Sequence, residues 1–470
     1  MPAWTIPEGA EAIRASILRL EEDGLSPALY HLAAIDALLP ERQSAPGPVL
    51  DDDLQIILTD AVAALLDHVR HGRVDPASLD AQWNIDPREG TLPVEFLLEQ
   101  AASAPSPAGV IEALKPSHFV YTGLKEALAR LRAAAAGIGW PEVPGGPALK
   151  PGADDPRVPA LRRRLAATGE LLPGAALDSQ AFDEELAGAV RTFQDRHRLA
   201  PDGVVGPATR QALNVSAAAR ADQVRVNLER IRWVSAGLGD SFVLVNLPAF
   251  ELYLIRDRAK IWEARAQVGR DVRQTPTFRA DLRYLVFNPD WIVPPTILAQ
   301  DVLAGMRRGQ DTIASKGLTI LDREGRRVDP TTIDWSRATP RNFPYVLRQA
   351  PGPANALGRV KFVFPNEHTV FLHDTPSQSL FDHDQRAFSS GCIRIERALD
   401  LAARLLAPQG WTPEDVQAAV DEGVTRTVVL DAPLPVVIVY WTASLDAAGR
   451  LRFARDIYRR DAAVLRALQG

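Results

Sequence analysis

Residues 137–156 run through Trp140-Pro-Glu-Val-Pro-Gly-Gly-Pro and further Gly and Pro, a stretch that can hold neither a regular helix nor a regular strand. It divides the chain, and the two sides differ in texture. Upstream, Ile13, Ile17 and Leu20, then Leu58, Val62, Leu65 and Val69, recur at helical spacing, punctuated by Gly24, Pro27, Gly72, Pro76 and Pro116. This predicts a helical packing scaffold over residues 1–136. Downstream, from about residue 242, short runs rich in β-branched and aromatic residues alternate with turns, the mark of a mostly-β domain. The expected fold class is therefore multidomain α+β, consistent with 470 residues, which exceed one ordinary core.

Between linker and strands, residues 157–215 predict a small module of three short helices. Val158, Leu161 and Leu165 form one apolar stripe and Leu186, Val190 and Phe193 another, with turn signals at Asp202-Gly203 and Gly206-Pro207. The β domain is expected over residues 216–430, with strands at 242–247, 250–255, 261–268, 284–287, 360–364 and 369–372. The strand pattern stops after Trp291. A helix start at 294–303 and a polar, Arg-rich stretch follow, which predicts an insertion over about 292–345 that covers the domain. Residues 397–406 repeat at helical spacing, and Thr412-Pro413 reads as an N-cap followed by Pro in the first turn. Residues 431–470 predict a strand at 436–441 and a helix over 453–468, packing back on the scaffold or the β domain.

Several function classes drop out. A net charge of −6 gives no basic footprint for nucleic acid. The longest apolar runs are far too short to span a bilayer. One cysteine cannot form an intrachain disulfide, so pairing says nothing about redox compartment. The stretch Met1-Pro-Ala-Trp-Thr-Ile-Pro does not read as a secretory signal, so the chain is either cytosolic or starts after a removed signal or anchor. His368 and His383 lie near the cysteine in sequence but lack the tight ligand spacing of zinc patterns; no metal or other cofactor is expected.

The chemistry concentrates between Phe371 and Ile395. His373 ends a predicted strand; Ser389-Ser390-Gly391-Cys392-Ile393-Arg394 follows a polar loop, with Cys392 nineteen positions beyond His373. A lone cysteine is most often a small buried hydrophobe. It becomes a strong nucleophile only as thiolate, which requires a base or positive charge close by, and His373 can supply an imidazole. The imidazole needs a third group to fix its tautomer: Ser389, through hydroxyl or carbonyl, or Asp374. Gly391 permits a tight turn that aims N–H groups at a developing oxyanion. Arg394, two residues on in an extended segment, projects to the face of Cys392 and could hold a substrate carboxylate or carbonyl.

Two resemblances sharpen this. Phe193-Gln194, Leu199, Asp202-Gly203, Gly206-Pro207, Thr209 and Ala212-Leu213 resemble the peptidoglycan-binding domain 1 family. The Ser-Ser-Gly-Cys-Ile-Arg run with upstream His373 resembles the L,D-transpeptidase (YkuD-like) catalytic domain, supported by Val268-Gly269-Arg270, Thr275-Pro276 and Asn288-Pro-Asp-Trp-Ile-Val-Pro-Pro. The scaffold region (Gly24-Leu25, Tyr30, Gly72-Arg-Val-Asp-Pro, Trp83, Leu114-Lys-Pro) and Pro433–Ala443 resemble the large enzymes of Gram-negative bacteria, in which an insertion caps the site. The resemblance implies Cys392 as nucleophile, His373 as base and Ser389 as third catalytic position, with Arg394, Gly391, Ser390 and Trp291 at the substrate. The family's usual second His is Ser390 here. It further implies 3→3 cross-linking of peptidoglycan tetrapeptide stems with release of D-Ala, binding to glycan strands, acylation by carbapenem β-lactams, a periplasmic location and a monomer. A different acyl acceptor (a lipoprotein lysine, a D-amino acid or water) and a non-catalytic peptidoglycan-binding scaffold are the competing expectations.

Overall fold

The computed structural model describes residues 4, 6–44, 48–172, 174 and 176–470. Met1–Ala3 and Thr5, in the stretch read for a leader, lie outside them. The chain divides into two units, residues 1–239 with 440–470, and residues 240–439.

In the first unit, helices Pro7–Arg19, Leu32–Ser44, Pro48–His71, Val94–Ser103, Pro107–Leu114 and Phe119–Ala136 carry the scaffold. Ile13, Ile17, Leu20, Leu58, Val62, Leu65 and Val69 are all 0 % exposed, so the helical stripe in the sequence is the core face. The three-helix module forms from Val158–Ala167, Glu184–Arg196 and Pro207–Leu213 around Leu161, Leu165, Leu186, Val190 and Phe193. Its Gln194 is buried and ties the turn: Nε2 donates to Asp202 Oδ1 (2.7 Å) and the Val204 carbonyl (3.0 Å), while Oε1 accepts from the Gly203 N–H (2.9 Å). Among the described residues no helix is long and apolar enough to cross a membrane.

Two expected boundaries move. The sequence assigns residues from 216 onward to the β domain, but helix Ala217–Ser235 packs in the helical unit. The reason is polar: fully buried Arg232 pairs with Glu229 (2.6 Å) and donates to the Asp23 carbonyl (2.9 Å) and the Tyr121 hydroxyl (2.8 Å). The expected break at 430/431 falls inside one strand, Arg426–Val439, and the units divide after Val439. The predicted helix over 453–468 shortens to Asp461–Gln469. Before it, the Asp456 carboxylate accepts the N–H groups of Arg460 and Asp461 (2.9 and 2.8 Å), which holds a turn where the pattern predicted helix.

The second unit is built on strands β1 (Phe242–Asn246), β2 (Glu251–Arg256), β3 (Ala259–Gly269), β4 (Thr277–Phe287), β5 (Trp291–Ile292), β6 (Thr319–Leu321), β7 (Val346–Gln349), β8 (Val360–Val363), β9 (Leu372–His373), β10 (Ala387–Ser389), β11 (Ile393–Ile395) and β12 (Arg426–Val439). The main sheet runs β4-β12-β1-β2-β3-β11-β9-β8, and β8 also pairs β4, so the sheet closes on itself. The insertion has its own sheet, β5-β7-β6, and its own core, formed by residues such as Val302, Leu303, Ile320 and Leu347.

Candidate active site

Strand register assembles the site. His373 on β9 lies opposite Lys361 on β8 and Arg394 on β11, and Arg394 lies opposite Gln267 on β3. Directly paired residues project to the same face, so Gln267, Arg394, His373 and Lys361 form one polar row across four strands. The preceding row, Phe362, Leu372 and Ile393, is 0 % exposed and faces the core. A one-residue slip would turn the polar row into the apolar core and turn Phe362, Leu372 and Ile393 out of it; the core therefore fixes the register of the site.

Cys392 stands at the head of β11, half-buried, with Sγ 3.8 Å from the Thr369 carbonyl. The turn before it is braced at each residue. Ser389 Oγ accepts the Gly391 N–H (3.1 Å), and Ser389 carbonyl accepts the Arg270 N–H (3.1 Å). Gly391 has φ +119°, which disfavours a side chain, and its carbonyl accepts from Thr275 Oγ1 (2.8 Å). Ser390 Oγ accepts from Arg273 Nη1 (2.7 Å), and the same guanidinium binds Asp301 of the insertion through both nitrogens (2.9 and 3.1 Å). The insertion is thus tied to the nucleophile turn through an ion pair meeting Ser390.

His373 is buried, and its Nδ1 donates to the Asp374 carbonyl (2.5 Å). Nδ1–H leaves Nε2 as the basic nitrogen. Of the two orienters expected, Ser389 holds the Gly391 turn, and the backbone carbonyl of Asp374 meets the imidazole. The Asp374 carboxylate accepts the Arg359 N–H (2.9 Å), which pins that backbone. No hydrogen bond joins His373 to Cys392 in this structure; catalytic contacts often tighten only with substrate bound. Arg394 Nη1 donates to Gln267 Oε1 (3.2 Å), while its Nε is buried without a partner. The Trp291 indole is buried in the insertion core with Val302 and Leu303, where a ring of that size adds much apolar area to a small core. Among the described residues no group of His, Cys, Asp and Glu is arranged to hold a metal ion.

Burial dominates the electrostatics. It pushes His373 down to about 3, helped by Arg394 and Lys361 and opposed by the Asp374 and Leu357 carbonyls. It pushes the Cys392 thiol up, against the Phe371 backbone, Lys361 and Arg394, which pull it down. The resting pair is therefore thiol and neutral imidazole. Lys361, absent from the sequence-based expectations, has Nζ 3.9 Å from the centre of the Phe371 ring, and burial lowers it while Cys392 raises it. Its signal was present as a single cation in the otherwise apolar run Val360-Lys-Phe-Val-Phe.

A pH prediction follows. Alkylation of Cys392 by iodoacetamide is expected to rise with pH through one titration above the ordinary thiol range, without an acid plateau from a thiolate–imidazolium pair. Lys361→Met is expected to shift that profile to higher pH and slow alkylation at neutral pH by roughly tenfold. An unchanged profile in the variant would remove Lys361 from the electrostatics of the thiol.

Comparison with known proteins agrees with this architecture. Residues 1–128 match the Scaffold domain family model, residues 154–213 the "Putative peptidoglycan binding domain", and residues 240–438 the L,D-transpeptidase catalytic domain. A "Putative L,D-transpeptidase" of Haemophilus influenzae is 36 % identical over 219 residues, 47 % of this chain and 44 % of that protein, so the match spans less than half of the relative's length. The N-acetylmuramoyl-L-alanine amidase CwlL of Bacillus licheniformis is 41 % identical over 68 residues, 14 % of this chain and 19 % of that one. Among solved structures, the L,D-transpeptidase from Xylanimonas cellulosilytica is 16 % identical and covers 63 % of this chain and 100 % of its own, at a TM-score of 0.22. So loose a superposition says nothing about mechanism. Residues 240–438 thus match the L,D-transpeptidase catalytic domain model, in one polypeptide with matches to a scaffold domain and a peptidoglycan-binding domain.

Proposed function

We propose that the protein is a cysteine-dependent L,D-transpeptidase that forms 3→3 cross-links between peptidoglycan stems. The observation that carries this reading is the polar row Arg394–His373–Lys361 beside the chain's single, half-buried cysteine. Cys392 Sγ attacks the carbonyl carbon between the third residue and the terminal D-Ala of a tetrapeptide stem. The C–S bond forms as His373 Nε2 takes the thiol proton. The Gly391 N–H is engaged by Ser389, so stabilising the oxyanion falls to the Cys392 N–H, with Lys361 adding positive charge. The C–N bond then breaks, and the D-Ala amine leaves with the proton from His373. An amine of a second stem attacks the thioester carbon and gives its proton to His373; the new C–N bond forms as the C–S bond breaks, and His373 returns the proton to the Cys392 thiolate. Arg394, with Nε and Nη2 not engaged by Gln267, holds a substrate carboxylate or carbonyl.

The three-helix module would hold the enzyme on glycan strands and raise the local concentration of stems. Such a substrate lies outside the cytoplasmic membrane, so the working protein is extracytoplasmic and, in a Gram-negative cell, periplasmic. Carbapenems would acylate Cys392, and the enzyme would work as a monomer. The decisive experiment incubates the protein with disaccharide-tetrapeptide and weighs the products. Dimer with loss of D-Ala is the expected result. Monomeric tripeptide alone would mean that water is the acceptor. No product and no carbapenem adduct on Cys392 would overturn the enzyme reading.

A further inference from the structure

A cavity of about 590 Å3 lies within the unit of residues 1–239 and 440–470, lined by the last helix of the three-helix module, the helix Ala217–Ser235 and the C-terminal segment. Its walls include the small side chains of Ala208 and Ala219 and the ring of Phe453. They also carry Arg220, only 7 % exposed.

Among the described residues Arg220 is a buried cation without a carboxylate partner, as is Arg164 of the three-helix module, which the Leu213 carbonyl and the Thr168 hydroxyl satisfy instead. The Arg220 guanidinium lies over the Phe453 ring, 4.2 Å from the centroid, and donates to Gln223 Oε1 (2.7 Å) and the Ala212 carbonyl (3.3 Å). Nε is buried with no partner, and among the described residues no carboxylate forms an ion pair with it. Arg232, Arg230 and Lys115, as deeply buried in the same unit, pair with Glu229, Asp461 and Asp23. The acidic side chains that share the cavity wall are engaged elsewhere: Asp461 with Arg230 and Thr442, Asp456 with the Tyr440 hydroxyl, Asp222 with Arg225. Burial, with the positive field of Arg164, lowers Arg220 to about 9. A cation taken out of water without a counter-ion is costly, and an incoming anion would remove that cost.

We propose that this cavity binds a carboxylate-bearing peptide, with the ligand's carboxylate on the Arg220 guanidinium and its aliphatic part against Phe453 and the alanines. A guanidinium fork fits a planar carboxylate, and the apolar walls fit a short peptide better than a bare inorganic ion. The ligand class is the stem peptide of peptidoglycan, taken at a second site outside the catalytic domain; that identity rests on the function proposed above.

The test is hydrogen exchange on the full chain with Cys392→Ala, which blocks turnover, with disaccharide-tetrapeptide as probe. Expected is protection of backbone amides in residues 206–226 and 451–465. Arg220→Met should weaken the apparent affinity read from those segments at least tenfold, as should amidation of the stem carboxylates. Ala219→Phe, which fills the cavity from an exposed position and leaves Arg220 in place, should abolish the protection in a folded protein. Absence of protection in those segments, or its persistence in Arg220→Met, overturns the proposal. Equal protection by acetate at the same concentration overturns the peptide assignment. Protection at residues 369–394 reports the catalytic domain separately: seen alone, it leaves the transpeptidase reading standing and removes this one; its absence beside a protected cavity does the reverse.

Discussion

His373→Gln is expected to slow formation of the Cys392 thioester from tetrapeptide by about a thousandfold, measured by mass spectrometry of the acyl-enzyme under single-turnover conditions. Glutamine keeps a side-chain amide near the Asp374 carbonyl but has no basic nitrogen. The thiol would then have to ionise before it attacks, and burial opposes that ionisation. Alkylation by iodoacetamide well above the thiol's titration needs no base and should change little. A variant that forms thioester within tenfold of the wild-type rate would show that His373 is not the base. The same substitution has a stability signature. The folded imidazole titrates near 3 and the free one near 6.5, so the unfolded chain gains a proton first as pH falls. Stability conferred by the neutral imidazole is therefore present above 6.5 and is lost as pH falls from there towards 3. His373→Gln should flatten that part of the stability profile.

Much of the fold was legible where a pattern has one physical reading. The stripe Leu58, Val62, Leu65, Val69 buries itself as a helix face, the short β-branched run 242–246 reads as a fully buried strand, and the alternating run 360–363 as a half-buried one. The nucleophile turn was legible because Ser-Ser-Gly-Cys carries its constraint locally, in a glycine at φ +119°. Harder to see was whatever depends on partners distant in sequence. The helix Ala217–Ser235 has apolar residues on no single face, and polar Arg232, Glu229 and Asn227 are themselves buried, so its membership of the scaffold unit is decided by contacts to Asp23 and Tyr121. The orienter could be narrowed only to Ser389 or Asp374, because which group meets the imidazole depends on the local backbone; the Asp374 carbonyl is the one within reach of Nδ1. Trp291 sits among family-like residues, but only the insertion's separate core explains where its ring goes. Lys361 joins His373 through strand register alone. Position 390 follows the same rule: the partner of its hydroxyl is Arg273, 117 residues away.

Gly269→Ala is expected to cost at least about a hundredfold in acylation rate and about 1–3 kcal/mol in stability. It ends β3 with no unusual φ, so backbone freedom is not the reason for glycine here. A Cβ at this position would lie 2.2 Å from the Arg273 carbonyl oxygen and 2.7 Å from the Thr275 nitrogen. Both are backbone atoms, so the loop 270–275 must move as a whole. That loop carries the Thr275 hydroxyl, which bridges the Gly269 N–H (2.9 Å) and the Gly391 carbonyl (2.8 Å), and the Arg273 guanidinium, which joins Ser390 to Asp301. One methyl group therefore shifts both braces of the nucleophile turn and the tie to the insertion. Thermal melts and single-turnover acylation measure the two effects together. Gly239→Ala, with no atom within 4 Å of its added Cβ, is the control and should leave stability within about 0.5 kcal/mol of wild type. Full acylation by Gly269→Ala at a temperature where it is folded would mean that Cys392 is positioned by β11 alone and that the 270–275 loop is dispensable.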